Sequence, residues 1–128
     1  MIDWFNDGKN IRATGRGTIR SPQYYFLEGV TWSTISSSYL GMRFSPNGSI
    51  FETAGNTMFL RKQLFYCLGF LCGKIPPIFL ECINPTITIT VGAISLLPII
   101  INDVLTGIVE DKVKDNIYIA KTDWDSFE

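Results

Sequence analysis

GVTWSTISSSYLGMRFSPNGSIFETAGNTMFL, running from Gly29 to Leu60, decides how this chain is read. Val30, Trp32 and Ile35 sit among Thr and Ser, as β-branched and aromatic residues do on a pleated, half-buried surface. Tyr39, Met42 and Phe44 follow, then Ile50-Phe51-Glu52-Thr53, so the stretch predicts several short strands. Pro46-Asn47-Gly48 predicts a turn joining the last two of them, because Asn-Gly accepts positive φ. Asn47-Gly48-Ser49 also matches the N-glycosylation acceptor, a match without meaning unless the chain is secreted.

Outward from that stretch the texture changes on both sides. Residues 1–23 are polar and turn-rich, with Asn6-Asp7-Gly8 and Gly15-Arg16-Gly17 as punctuation, and read as an exposed loop. Residues 24–58 form the strand-rich part. Within residues 59–82, Leu60, Leu64, Leu68 and Leu71 recur at helical spacing, with Phe65 and Phe70 widening the apolar face and Gly73 offering a stop. Ile75 to Cys82 predicts a second short helix, with Pro76 and Pro77 tolerated in its first turn. Residues 83–101 hold Thr86-Ile87-Thr88-Ile89-Thr90-Val91, whose strict alternation predicts a half-buried strand with the threonines outward, then a Leu-Pro segment. A helix from about Asn102 to Ile119 and a tail complete residues 102–128. The expected architecture is one α+β domain, a small mixed sheet packed against helices. Val30, Trp32, Phe44, Phe51, Leu64, Leu68, Ile87 and Ile89 are expected to share its core.

Composition removes several chemistries. The chain has 128 residues, 46% of them hydrophobic, enough to bury a real core. Histidine is absent, and with it the commonest general base and metal ligand. Cys67, Cys72 and Cys82 lie among apolar residues and lack both a fourth ligand and a C-x-x-C spacing, so they read as free buried thiols rather than a zinc site. No serine or cysteine has a histidine to activate it. Asp123, Asp125 and Glu128 form an acidic cluster that reads as a solvated face. The most apolar segment, Leu64 to Ile83, is broken by Gly73-Lys74 and Pro76-Pro77, whereas a bilayer helix needs roughly 20 unbroken apolar residues. Met1-Ile2-Asp3-Trp4 lacks the basic start and apolar run of a signal peptide, so the expected setting is cytoplasmic, with no membrane partner.

The net charge of −1 conceals a division. Residues 1–74 carry eight cationic side chains against four carboxylates, and residues 75–128 carry three against eight. Two readings stay open: a local basic face for phosphate, or solvated charges that merely segregate along the chain. In the first reading Arg12, Arg16 and Arg20 could track a phosphate backbone, and Lys74 could touch one. Arg43, amid serines, is the best base-reading candidate, with an exposed strand residue or a salt bridge to Glu52 as its bland alternatives. Thr88 and Thr90 would present hydroxyls from the outer face of their strand. Trp32 reads as core rather than as a base-stacking platform.

Gly29, Thr31-Trp32-Ser33, Ser36-Ser37, Arg43, Ser45-Pro46, Gly48 and Ile50-Phe51, together with Ile83 to Ile101 and the closing DWDSFE, resemble one family. That family is the BREX-type adenine-specific DNA methyltransferases called PglX, in the region after the catalytic domain. The resemblance runs from Trp4 to Glu128. It implies a fold similar to the target-recognition domains of restriction–modification systems, and a DNA-recognition fragment of a phage-defence methyltransferase. Double-stranded DNA and the methyltransferase catalytic domain are the implied partners. The cofactor S-adenosylmethionine would belong to the full-length family and not to this chain, which is expected to hold no cofactor and no metal. Asn84-Pro85-Thr86-Ile87 shares only its first two residues with the Asn-Pro-Pro-Tyr-type motif that grips the target adenine. No catalytic residue and no enzymatic activity are therefore expected in this chain alone. A different class of function stays open: a small interaction module, an inhibitor or subunit, docking onto a methyltransferase or phage protein.

Overall fold

The computed structural model describes residues 4–15, 18–36, 39–52 and 54–127. Arg16 lies outside the described residues, as do Ser37, Thr53 and Glu128. The polar start, expected as a loop, is wound into α1 (Phe5–Thr14). Its first turn is left-handed: Asn6, Asp7 and Gly8 have φ of 49°, 53° and 73°, and Asn, Asp and Gly are the residues that tolerate this region best. A right-handed turn follows and stops at Gly15 in the same left-handed conformation. A 3-10 turn at Pro22–Tyr24 leads into the sheet.

The sheet has three strands, β1 (Gly29–Ser33), β2 (Arg43–Ser45) and β3 (Gly55–Met58), in the order β2-β1-β3. Both ladders are antiparallel, where a mixed sheet was expected; the α+β class stands. Val30 lies opposite both Phe44 and Met58, and Trp32 opposite Asn56. Pleating puts these residues on one face and Thr31, Ser33, Arg43, Ser45 and Thr57 on the other. Asn47-Gly48 does turn, with Gly48 at φ 101°. It does not make a hairpin, however. The strand after it is β3 rather than Ile50-Phe51, and β3 pairs with β1.

Helix α2 (Leu64–Leu71) covers the inner face, burying Leu64, Cys67, Leu68 and Leu71 at the predicted spacing. Helix α3 (Ile75–Ile83) carries its prolines in the first turn, where no intrahelical N–H is lost. Together α2 and α3 are strongly apolar, but they bend by 72° at their junction, and no single helix among the described residues is long and apolar enough to cross a membrane. The buried core joins Val30, Trp32, Leu40, Met42, the α2 residues, Leu80, Ala93, Ile94 and Leu97; Phe44 and Ile89 pack half-buried against it.

Two expected core residues lie elsewhere. Ile87 is 60% exposed. Phe51 belongs to an aromatic cluster outside the core, edge-on to Tyr25 at 5.2 Å and 5.3 Å from Phe59. The strand expected over Thr86–Val91 is reduced to a bridge between Thr88 and Ile35. There Ser36 N–H donates to the Ile87 carbonyl, and Ile89 N–H to the Thr34 carbonyl. Beyond it Thr90 accepts from the Ala93 amide and starts α4 (Val91–Ser95). Alternation alone does not make a strand; the segment needs a partner backbone, and one is available for only three residues.

Helix α5 (Asp103–Asp125) is longer than expected. Asn102 caps it by accepting from the Val104 and Leu105 amides at 3.0 and 3.3 Å. Half-buried Val113 and Ile117 pack against the core.

Candidate nucleic-acid interface

The outer sheet face places Arg43 where an outside ligand can reach it. Arg43 is exposed on the edge strand β2, opposite Thr31, and its Nη2 donates to Ser33 Oγ at 3.2 Å. One of the five guanidinium donors is thereby held, which limits the side chain's freedom and leaves the rest of the fork to a ligand. No ion pair joins Arg43 to Glu52 among the described residues, so of its two bland alternatives the salt bridge does not describe it, whereas an exposed strand residue does.

The hydroxyls beside Arg43 differ in availability. Since β2 and β3 flank β1, the connection between them must cross β1. It does so on the outer side, where Ile50, Phe51 and Glu52 close over Thr31, Ser45 and Thr57 and leave a cavity of about 150 Å³. Thr31 Oγ1 donates to the Asn56 carbonyl at 2.9 Å, and Thr57 Oγ1 to the Gly55 carbonyl at 3.3 Å. Ser33 lies outside the cavity lining and is exposed, so the open part of this face is the Arg43–Ser33 end. Sequence reasoning named Arg43 but none of these hydroxyls. The alternation in GVTWS and RFS was the signal that could have found them.

The other candidates fall at scattered places. Arg12 lies exposed in the last turn of α1, with Nε donating to the Asp7 carbonyl at 3.3 Å; Arg20 is exposed on the following loop. Their segment is fixed to the sheet through aromatic contacts: Trp4 meets Tyr25 edge-on at 4.9 Å, and Tyr24 stacks on Phe59 at 5.2 Å. Phe59 and Phe51 line the outer-face cavity, so α1 is anchored to the rim of the face that carries Arg43. Lys74 is exposed directly before α3. Thr90 is a helix cap, not an outward strand residue, and Thr88 is half-buried at its bridge with Ile35. Trp32 is 1% exposed, and its Nε1–H donates to the Ile89 carbonyl at 3.0 Å. It is a core residue.

A second hollow of about 390 Å³ lies beside α3, between Tyr39, Glu81, Asn84, Thr86 and Ile87. Both ends of the Asn84 carboxamide bond within its own turn. Nδ2 donates to the Thr88 carbonyl, and Oδ1 accepts from Thr86 Oγ1 at 2.9 Å. These bonds make the Asn84 side chain part of its own turn, as a structural Asn-Pro turn requires. The thiols are also differently placed from the expectation. Cys67 is buried, whereas Cys72 and Cys82 are exposed, and Cys72 Sγ donates to the Met42 carbonyl at 3.6 Å. Burial pushes the Cys67 thiol above its ordinary value, and the Cys72 thiol is raised too because its Sγ turns inward to Met42 although the residue as a whole is exposed; both are poorer nucleophiles for it. Among the described residues no three His, Cys, Asp or Glu side chains converge as a metal site would require.

No family model matches the chain. It is 31% identical over 132 aligned positions to the adenine-specific methyltransferase BrxX of Escherichia coli O9:H4 (strain HS), covering 100% of this chain and 10% of that protein. It is 33% identical over 137 positions to the adenine-specific methyltransferase PglX of Lacticaseibacillus casei (strain Zhang), covering 100% of this chain and 11% of that one. The chain spans about a tenth of the length of the curated relatives it matches. Both matches take in the whole chain, loops included. The chain is thus similar along its entire length to about a tenth of the BrxX and PglX adenine-specific methyltransferases.

Proposed function

We propose that this chain is the DNA-recognition part of a BREX-type adenine-specific methyltransferase used in phage defence in the cytoplasm, and that methyl transfer is carried out elsewhere. The observation that carries this reading is the whole-chain match to a tenth of two adenine-specific methyltransferases. In this reading S-adenosylmethionine and the flipped adenine are held by a catalytic domain outside the matched tenth, and this chain binds no cofactor. Arg43 reads a guanine through the bidentate contact its fork geometry suits, braced by Ser33. The exposed edge strand β2 leads into the groove, because the connection carrying Phe51 and Glu52 covers the rest of the sheet face. Arg12, Arg20 and Lys74 serve phosphates, which position the protein without specifying sequence. Arg16 joins them by its place in the sequence.

The charge division sets the strength of binding. Cations in residues 1–74 are opposed by the carboxylates of residues 75–128, so the isolated chain binds duplex DNA at or beyond the weak end of non-specific affinities, about 10⁻⁴ M at physiological salt. The decisive experiment is carried out in the methyltransferase that contains this segment, with methylated sites mapped across a genome. Arg43→Ala changes which motif is methylated, and Lys74→Ala lowers methylation at all motifs alike. An unchanged motif and unchanged efficiency in Arg43→Ala would refute the base-reading role.

A further inference from the structure

Glu52 stands where the charge pattern does not call for a carboxylate. Residues 1–74 carry the cationic excess of the chain, with only Asp3, Asp7, Glu28 and Glu52 against it. Among the described residues, Glu52 is the one carboxylate that lines the cavity on the outer sheet face, beside Thr31, Ser45 and Thr57. The residue is exposed, and its carboxylate makes no hydrogen bond and no ion pair among the described residues. Arg43, exposed on the same face, does not neutralise it and donates to Ser33 Oγ instead. A face that served phosphates alone would be weakened by such a group, because every phosphate repels it.

Placement and base chemistry together give the carboxylate a task. Ser45 follows Arg43 by two residues on β2 and shares its face, so their Cα atoms stand about 7 Å apart. Ser45 lines the same cavity as Glu52. The connection that crosses β1 thus brings a free carboxylate to within about two base steps of the guanidinium, at about 3.4 Å per step. In the major groove guanine presents O6 and N7, and thymine O4, all acceptors that a carboxylate avoids. Adenine presents an amino donor, but with the acceptor N7 beside it. Cytosine presents its N4 amino group alone, and is the base that a carboxylate reads.

From this arrangement we infer that Glu52 is a second specificity-determining residue, accepting a hydrogen bond from the N4 amino group of a cytosine close to the guanine read by Arg43. This role rests on the DNA-reading function proposed above, and adds to it a residue, a base and a spacing of about one to three base pairs. It also gives the connection between β2 and β3 a use beyond closing the cavity, since that segment carries the reader on its exposed side. Removing the carboxylate has two effects that can be told apart. Lost repulsion of phosphates acts on every DNA sequence alike, whereas a lost acceptor acts at one base position only.

The test uses the methyltransferase that contains this segment, with methylated sites mapped across a genome for the unaltered protein, Glu52→Ala, Glu52→Gln and Arg43→Ala. Glu52→Ala lowers the preference for cytosine about tenfold at one position of the motif, within about three base pairs of the position altered by Arg43→Ala. Glu52→Gln exchanges that cytosine for adenine, because a glutamine carboxamide pairs with adenine N6 and N7 together. An altered motif in Arg43→Ala beside unaltered motifs in both Glu52 variants overturns the inference and leaves the DNA-reading function standing. Unaltered motifs in all three variants overturn both. Methylation raised or lowered equally at every site in the Glu52 variants overturns the inference too, since that outcome reports charge or folding and not the reading of a base. So does an altered preference at a position that is not cytosine.

Discussion

Gly69 of α2 faces Val109 and Val113 of α5 at close range, and a single methyl group there should reverse its effect on stability according to what stands opposite. A Cβ built on Gly69 falls 2.8 Å from Val113 Cγ2 and 3.3 Å from Val109 Cγ1. The first distance is impossible without movement, and Val113 has little to give, because a β-branched residue in a helix is held to one rotamer. Forcing an extra methyl into such a contact costs about 1–3 kcal/mol. Replacing glycine by alanine in mid-helix returns about 1 kcal/mol. Gly69→Ala should therefore destabilise the chain by a net of about 0–2 kcal/mol. In a Val113→Ala background the 2.8 Å obstruction is gone, Val109 needs to yield only a few tenths of an ångström, and the same substitution should stabilise by up to about 1 kcal/mol. Urea titrations of the four proteins, followed by circular dichroism, close the cycle. With m of about 1–3 kcal/mol per molar, a coupling of about 2 kcal/mol moves the midpoint by roughly 1 M. Equal shifts in both backgrounds, within about 0.5 kcal/mol, would refute the close-approach argument.

Trp32→Phe keeps an aromatic ring in the core but removes the indole donor, leaving the Ile89 carbonyl without its partner. Together with the lost ring volume this should cost about 1–3 kcal/mol, with amide exchange accelerated in residues 87–89 before the sheet itself opens; unchanged exchange there would show that the bond does not hold the segment. Cys82 should react with a thiol reagent in the native chain, whereas Cys67 should react only after unfolding. The raised Cys67 and Cys72 thiols keep their protons in the folded state longer than in the unfolded chain. Unfolding free energy should therefore fall as pH climbs above the ordinary value of 9.0, a trend that Cys67→Ala together with Cys72→Ala should flatten.

Several elements were legible because their causes are local. The apolar spacing of Leu64, Leu68 and Leu71 is a property of one helix turn after another, and Asn102 caps α5 with atoms two and three residues away. Pro76 and Pro77 mark the start of α3 wherever it packs. Alternation in GVTWS also sufficed for β1, since Val30 and Trp32 must share a face in any extended strand. Likeness to the methyltransferases was legible for a different reason: it resides in the order of residues and needs no coordinates.

Other features depended on which backbones meet. Gly55-Asn56-Thr57-Met58 has poor strand chemistry, yet it is β3, because β1 offers it a ladder from Val30 to Ser33. TITITV has excellent strand chemistry and forms almost none, because only Thr34 to Ser36 lie beside it and Thr90 is drawn into capping α4. The same holds for the candidate interface. Arg43 could be named from its serine-rich surroundings, but its brace is Ser33, ten residues away in sequence and neighbouring only across the antiparallel pair. Residue type and spacing therefore determined what each segment of this chain could become. Long-range pairing, which a strand needs and a helix does not, decided which of those possibilities were realised and which side chains reached the open face.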